Sequence, residues 1–95
     1  MVATGLRSKD QLEGASNYSP WKERIAMLLI ENESWEFADQ GLTPPTIVAQ
    51  LAIHNQMDVK ARRIILDGVK NHVIPHLSKK KYAREMWETL TKLLE

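Results

Sequence analysis

The sequence has no cysteine. That excludes disulfides, thiolate nucleophiles and every zinc site built on sulfur ligands, and it fits a reducing, cytoplasmic compartment. Glycine is scarce: 4 residues, scattered along the chain. None of the phosphate-cradling patterns Gly-x-x-x-x-Gly-Lys or Gly-x-Gly-x-x-Gly occurs, nor the Gly-x-Ser-x-Gly nucleophile turn. Long apolar runs are absent too. The longest, Ile25 to Ile30, is far short of the ~20 apolar residues a membrane span needs. The stretch Met1 to Leu6 is neither basic nor apolar enough for a signal peptide. No strong excess of charge pulls the chain toward nucleic acid, since the formal net charge is +1.

What remains is one small domain of 95 residues. A chain this short hides only roughly 60–65% of its unfolded surface, so each large apolar side chain counts. The charge is unevenly placed. Residues 1–40 hold four basic and seven acidic side chains, whereas residues 41–95 hold nine basic and five acidic. Such a dipole can orient neighbours in an assembly. The blander reading, an ordinary solvated surface, is the preferred one.

The periodicity is helical throughout, and nothing reads as strand. Residues 1–16 are polar and read as a flexible arm with one apolar anchor, Leu12. A helical domain over 17–95 follows. Ser19 can cap a helix whose first position is Pro20. Trp21, Ile25, Leu28 and Leu29 share one face of it. Asn32 is its expected stop, and Ser34 to Ala38 reads as a single further turn. Asp39 to Thr46, with Pro44 and Pro45, is a loop. The next helix is expected from Pro45 or Thr46 to Asp67. Its broad face holds Ile47, Leu51, His54, Ala61, Ile64 and Ile65, with Met57 at the edge, and Gly68 ends it. A short helix over Val69 to Ile74 should end at Pro75. The last helix should start after Ser78 and bury Tyr82, Met86, Trp87, Leu90, Leu93 and Leu94. That helix is still apolar at Leu94, so a continuation or a partner is expected to cover it.

Three strings carry a resemblance. In the first, Leu12, Gly14, Asn17, Tyr18, Trp21 and Lys22 precede a helix that leads to a second tryptophan, Trp35. In the second, Asp58, Ala61 and Ile65 follow an Asp-x-x-Ala-x-x-x-Ile spacing. In the third, Ala83, Trp87 and Leu90 follow Ala-x-x-x-Trp-x-x-Leu. Together they resemble the N-terminal capsid segment of copia-type retrotransposon Gag proteins, over residues 12–95. Two departures stand out. There is one extra residue between Gly14 and Asn17, and His54 stands where the family commonly has a tryptophan. The resemblance implies an all-α bundle of four to five helices that builds a protein shell by self-association. Separately, no Ser–His–Asp set is suggested by order or spacing, so no catalysis, metal or cofactor is expected. The family's Cys-Cys-His-Cys zinc knuckle has no counterpart here, so its RNA binding does not carry over.

The core is expected to be Trp21, Ile25, Leu28, Trp35, Ile65, Trp87 and Leu90. If Trp87 and Leu90 face that core, then Tyr82, Met86, Leu93 and Leu94 are left for an interface. Its occupant would be a second copy in a two-fold dimer, further Gag helices, or a host protein. The basic cluster Lys79, Lys80, Lys81 and Arg84 carries the alternative, a small helical nucleic-acid-binding module. Three lysines in a first helical turn oppose the helix dipole, which hints at a use. The blander reading is a solvated face, with RNA binding weak or absent. His72 and His76 are four apart, but Pro75 lies between them and no third ligand is near. His54 reads as a residue at the edge of the core.

Overall fold

The computed structural model describes residues 6–40 and 42–95. Among these, five α-helices form an all-α fold without strands: α1 (Tyr18–Glu31), α2 (Trp35–Asp39), α3 (Val48–Asp67), α4 (Ile74–Leu77) and α5 (Ala83–Leu94). Two 3₁₀ turns, Ser8–Asp10 and Ala15–Asn17, come before α1.

α1 starts two residues earlier than its sequence suggests, and Ser19 is an exposed residue inside its first turn. Asn17 stands at the start, and its side chain holds the incoming chain. Its Oδ1 accepts the amides of Glu13 (3.0 Å) and Gly14 (3.4 Å), and its Nδ2 donates to the Gln11 carbonyl at 2.9 Å. Pro20 still falls in the first turn, where a missing N–H costs nothing. The far end is a Schellman closure. Ser34 N–H donates to the Leu29 carbonyl (2.8 Å) and Glu33 N–H to that of Ile30 (3.0 Å). Glu33 occupies the left-handed position, φ 58°, that glycine usually fills. This tight reversal drops α2 back onto the bundle.

α3 begins at Val48, not at Pro45 or Thr46. The two prolines hold the preceding residues extended, and Ile47 stays extended at φ −77°, ψ 126°. Pro75 does not end a helix over Val69–Ile74. It lies in the first turn of α4, where its lack of an amide proton is tolerated. α5 starts at Ala83, four residues later than Ser78 implies.

The core is a run of four aromatic rings sealed by aliphatic side chains. Tyr18 stacks on Trp21 at 6.0 Å, and Trp21 on Trp87 at 6.0 Å. The edge of Trp35 meets Trp87 at 5.5 Å in a T-shape. Ile25, Leu29, Ile64, Ile65, Leu77 and Leu90 pack around them, all buried. Of the expected core, Leu28 and Trp35 are only half-buried, at its rim. Ile47 is not on the buried face at all and is 59% exposed, because the buried residues of α3, from Asp58 to Ile65, all lie in its C-terminal half.

The segment read as a flexible arm is docked over residues 6–16; its residues 1–5 lie outside the described residues. Leu12 is fully buried and pairs with the strand-like residue Val69. Its amide donates to the Gly68 carbonyl (2.9 Å), and its own carbonyl accepts from Lys70 N–H (3.0 Å). Leu6 packs on the same core. The Gly68 carbonyl also accepts the indole N–H of Trp21 at 2.6 Å. Gly68 itself has an ordinary φ of −91°. Its importance is close approach: an added Cβ would lie 2.5 Å from Ile25 Cδ1 and 3.3 Å from the Ile64 carbonyl oxygen.

Two outcomes are expected from this packing. Gly68→Ala should destabilise the fold by about 1–3 kcal/mol, the usual cost of overpacking. Ile25→Val removes the clashing Cδ1, so the Gly68→Ala, Ile25→Val pair should lose less than the sum of the single changes in urea denaturation; strict additivity would refute the clash. Trp87→Ala, which empties the centre of the aromatic run, should cost about 3–5 kcal/mol. In a thermal melt that is a fall of roughly 12 °C or more for a domain of this size.

Candidate functional site

The interface expected on α5 is mostly consumed by the fold. α5 lies against α2, α3 and α4 together, so its wide apolar face is covered from several sides. Met86 is a core residue, 2% exposed, and not an interface residue. Leu94 is half-buried and packs on the core. Only Tyr82 (45%) and Leu93 (52%) remain open, and Tyr82 stands before the helix and not in it.

Beside Tyr82 lies a buried carboxylate. Asp58, on α3, is 7% exposed. Its Oδ1 accepts the amide of Ala83 (3.1 Å), and its Oδ2 accepts Arg62 Nε (3.0 Å). An aspartate on one helix thus caps the start of another, doing the work that Ser78 was expected to do. Asp58 lines a groove of about 320 Å3 together with Phe37, Leu42, Pro44, His54 and Tyr82 and the charged Arg84 and Glu85. His54 is half-buried there, its ring 4.9 Å from that of Phe37, at the edge of the core as expected.

The basic cluster takes a different form from the expected one. Lys79, Lys80 and Lys81 precede α5, so they do not oppose its dipole from the first turn. Arg84 is paired with Glu88 at 2.6 Å. Lys81 sits over the Tyr82 ring at 5.5 Å. The fold does bring two basic stretches together, since Arg62 and Lys81 line one shallow depression with Asn55, Val59 and Tyr82. His72 contacts the Glu13 carbonyl at 2.7 Å, while His76 is exposed on α4, so the two do not form a helical pair. Among the described residues no group of three His, Cys, Asp or Glu is placed to hold a metal ion. No described helix is long and apolar enough to cross a membrane. Lys22, opposite Glu95 at 2.7 Å, has its pKa raised, chiefly by that hydrogen bond.

The periodicity also misassigns the first half of α3, where several apolar side chains are open. Over Val48–Met57 no residue of α3 is buried. Val48 is 81% exposed, Ile53 62%, and Val59 just beyond is 51% exposed. The signal is charge, not hydropathy. Between Asp39 and Asp58 there is no Asp, Glu, Lys or Arg, although 26% of the chain is charged.

No protein-family model, curated protein or solved structure matches the chain.

The Asp58 cap is open to a direct check. Asp58→Ala leaves the buried Ala83 amide without an acceptor, and such a loss costs about 1–3 kcal/mol. Asp58→Asn keeps a side-chain oxygen and should lose clearly less. Equal loss from both changes, measured by denaturant unfolding, would mean that the hydrogen bond to Ala83 is not what Asp58 contributes.

Proposed function

We propose that this chain is a non-enzymatic, cytoplasmic assembly module of the copia-type Gag capsid kind, acting by association of identical copies. The observation that carries the reading is a division of labour among its side chains. Most residues of the resemblance fall inside the fold, while Gly14, Asn17, Lys22 and Trp35 are half-buried. Leu12, Tyr18, Trp21, Ala61, Ile65, Ala83, Trp87 and Leu90 are all buried, and Asp58 caps Ala83. Such residues specify a bundle, not a chemical site. Outside it, a surface rich in Ile and Val is left open on α3. Exposed apolar patches on small domains mark protein contacts.

A second reading has one specific observation in its favour. Lys81 and Tyr82 lie together in one depression, beside Arg62 in its pair with Asp58, and a cation beside an aromatic ring is a usual element of single-stranded nucleic-acid binding.

Association driven by apolar burial responds weakly to salt, whereas phosphate contacts weaken steeply with it. Light scattering across concentration should therefore show self-association that persists from low to high salt. Fluorescence anisotropy with a single-stranded RNA should show no submicromolar binding at about 150 mM salt, the physiological ionic strength. Submicromolar RNA affinity, lost on changing Lys79, Lys80 and Lys81 to Ala, would favour the second reading. A chain that stays monomeric at every concentration would remove the first.

A further inference from the structure

We infer that the N-terminal half of α3 is a two-fold interface, on which a second copy of the chain lays the same helix antiparallel. This rests on the reading of the chain as a self-associating module, and it names the surface. Val48, Ala52, Asn55 and Val59 follow one another at spacings of four, three and four. That is the alternating spacing of a coiled-coil seam. All four are exposed, on the side of α3 turned away from buried Ala61 and Ile65. An apolar seam normally faces something, and no part of the described chain covers this one.

The helix itself points the same way. Most helical stability in proteins comes from packing an apolar face, and short isolated helices are marginal in water. Residues 48–57 have no buried member and no ion pair. They also lack a side-chain cap, since Ile47 occupies the capping position. The ion pairs of α3, Arg62 with Asp58 and Arg63 with Asp67, lie in its other half. A partner helix supplies what this half lacks.

Charge selects the occupant and its direction. The stretch from Gln40 to Met57 carries no formal charge. It therefore meets an identical stretch without repulsion, whereas a charged partner surface would be stripped of water and gain no counter-charge. Parallel pairing would stack Lys60, Arg62 and Arg63 of one copy on those of the other. Antiparallel pairing centred between Ala52 and Asn55 sends them to opposite ends. It sets Val48 of each copy against Val59 of its mate, and Ala52 against Asn55. Small Ala52 lets the helices approach, and an amide in an apolar seam fixes register.

Sedimentation and thiol cross-linking test this together, using three forms of the chain. The parent should sediment as a dimer, and the Val48→Asp, Val59→Asp variant as a monomer. Four carboxylates then meet in an apolar contact, which weakens association by on the order of a hundredfold or more. A Tyr82→Asp, Leu93→Asp variant, altered at the open positions near and on α5, should remain dimeric. Circular dichroism checks that each variant keeps its helices; the substituted residues are exposed. Because the chain has no cysteine, introduced thiols report only their own pairing. An equimolar mixture of Val48→Cys and Val59→Cys chains should oxidise to a mixed dimer. Val59→Cys alone should not, since its two copies stand about 16 Å apart along the seam. Dimerisation that survives Val48→Asp, Val59→Asp but fails in Tyr82→Asp, Leu93→Asp overturns the α3 interface and leaves self-association standing. Ready cross-linking of Val59→Cys alone overturns the antiparallel arrangement. A parent that is monomeric throughout overturns both this inference and the functional reading beneath it.

Discussion

The carbonyl oxygen of Gly68 accepts two hydrogen bonds, from the Leu12 amide and the Trp21 indole. It lies at the end of α3, where carbonyls lose their partners along the helix, so it is free to receive both. The pair ties both the incoming chain at Leu12 and α1 at Trp21 to the end of α3. The indole bond fixes the rotation of Trp21, and so the ring on which Tyr18 and Trp87 stack. The amide bond draws in the incoming chain and seats Leu12 in the core. The lack of a side chain at residue 68 is what lets α1 come this close.

Much of this was legible in the sequence, and the reasons for the rest are physical. The helices on either side of the tryptophans follow from spacing, because Trp21, Ile25 and Leu29, and then Met86, Trp87 and Leu90, repeat at the helical period. The stop at Asn32 and the end at Gly68 follow from turn chemistry. Periodicity does not say what a face packs against. It treats Ile47 and Ile65 as members of one stripe, although only the second meets the core. Nor does it see polar groups acting at a distance. Ser78 has the right chemistry for a cap, yet Asp58 does the capping from another helix. Residues 6–16 read as an arm because only Leu6 and Leu12 of the segment reach the core, and the backbone bonds to Gly68 and Lys70 that dock it leave no trace in side-chain pattern. For the candidate surfaces, the wide apolar face of α5 was read correctly as apolar and wrongly as surplus. The open seam on α3 showed itself only as a gap in charge.

The two halves of α3 do different work. From Asp58 onward the helix belongs to the bundle: Asp58, Ala61, Ile64 and Ile65 are buried, and arginines pair with aspartates along its flank. Before Asp58 it has no charge and little cover. On the proposed reading, the second half holds the bundle together and the first half sets what assembles with what.

The cap between Asp58 and Ala83 spans 25 residues, and this orders events in time. α5 has 12 residues, a length at which an isolated helix is barely stable in water. It has no side-chain cap of its own. Its first turn is completed only when the loop between Asp58 and Ala83 has closed, and closure is a cost met before the contacts it permits. Trp87, on that same helix, lies between Trp21 and Trp35, so the helix whose start Asp58 caps is also the one that joins the rings of the core.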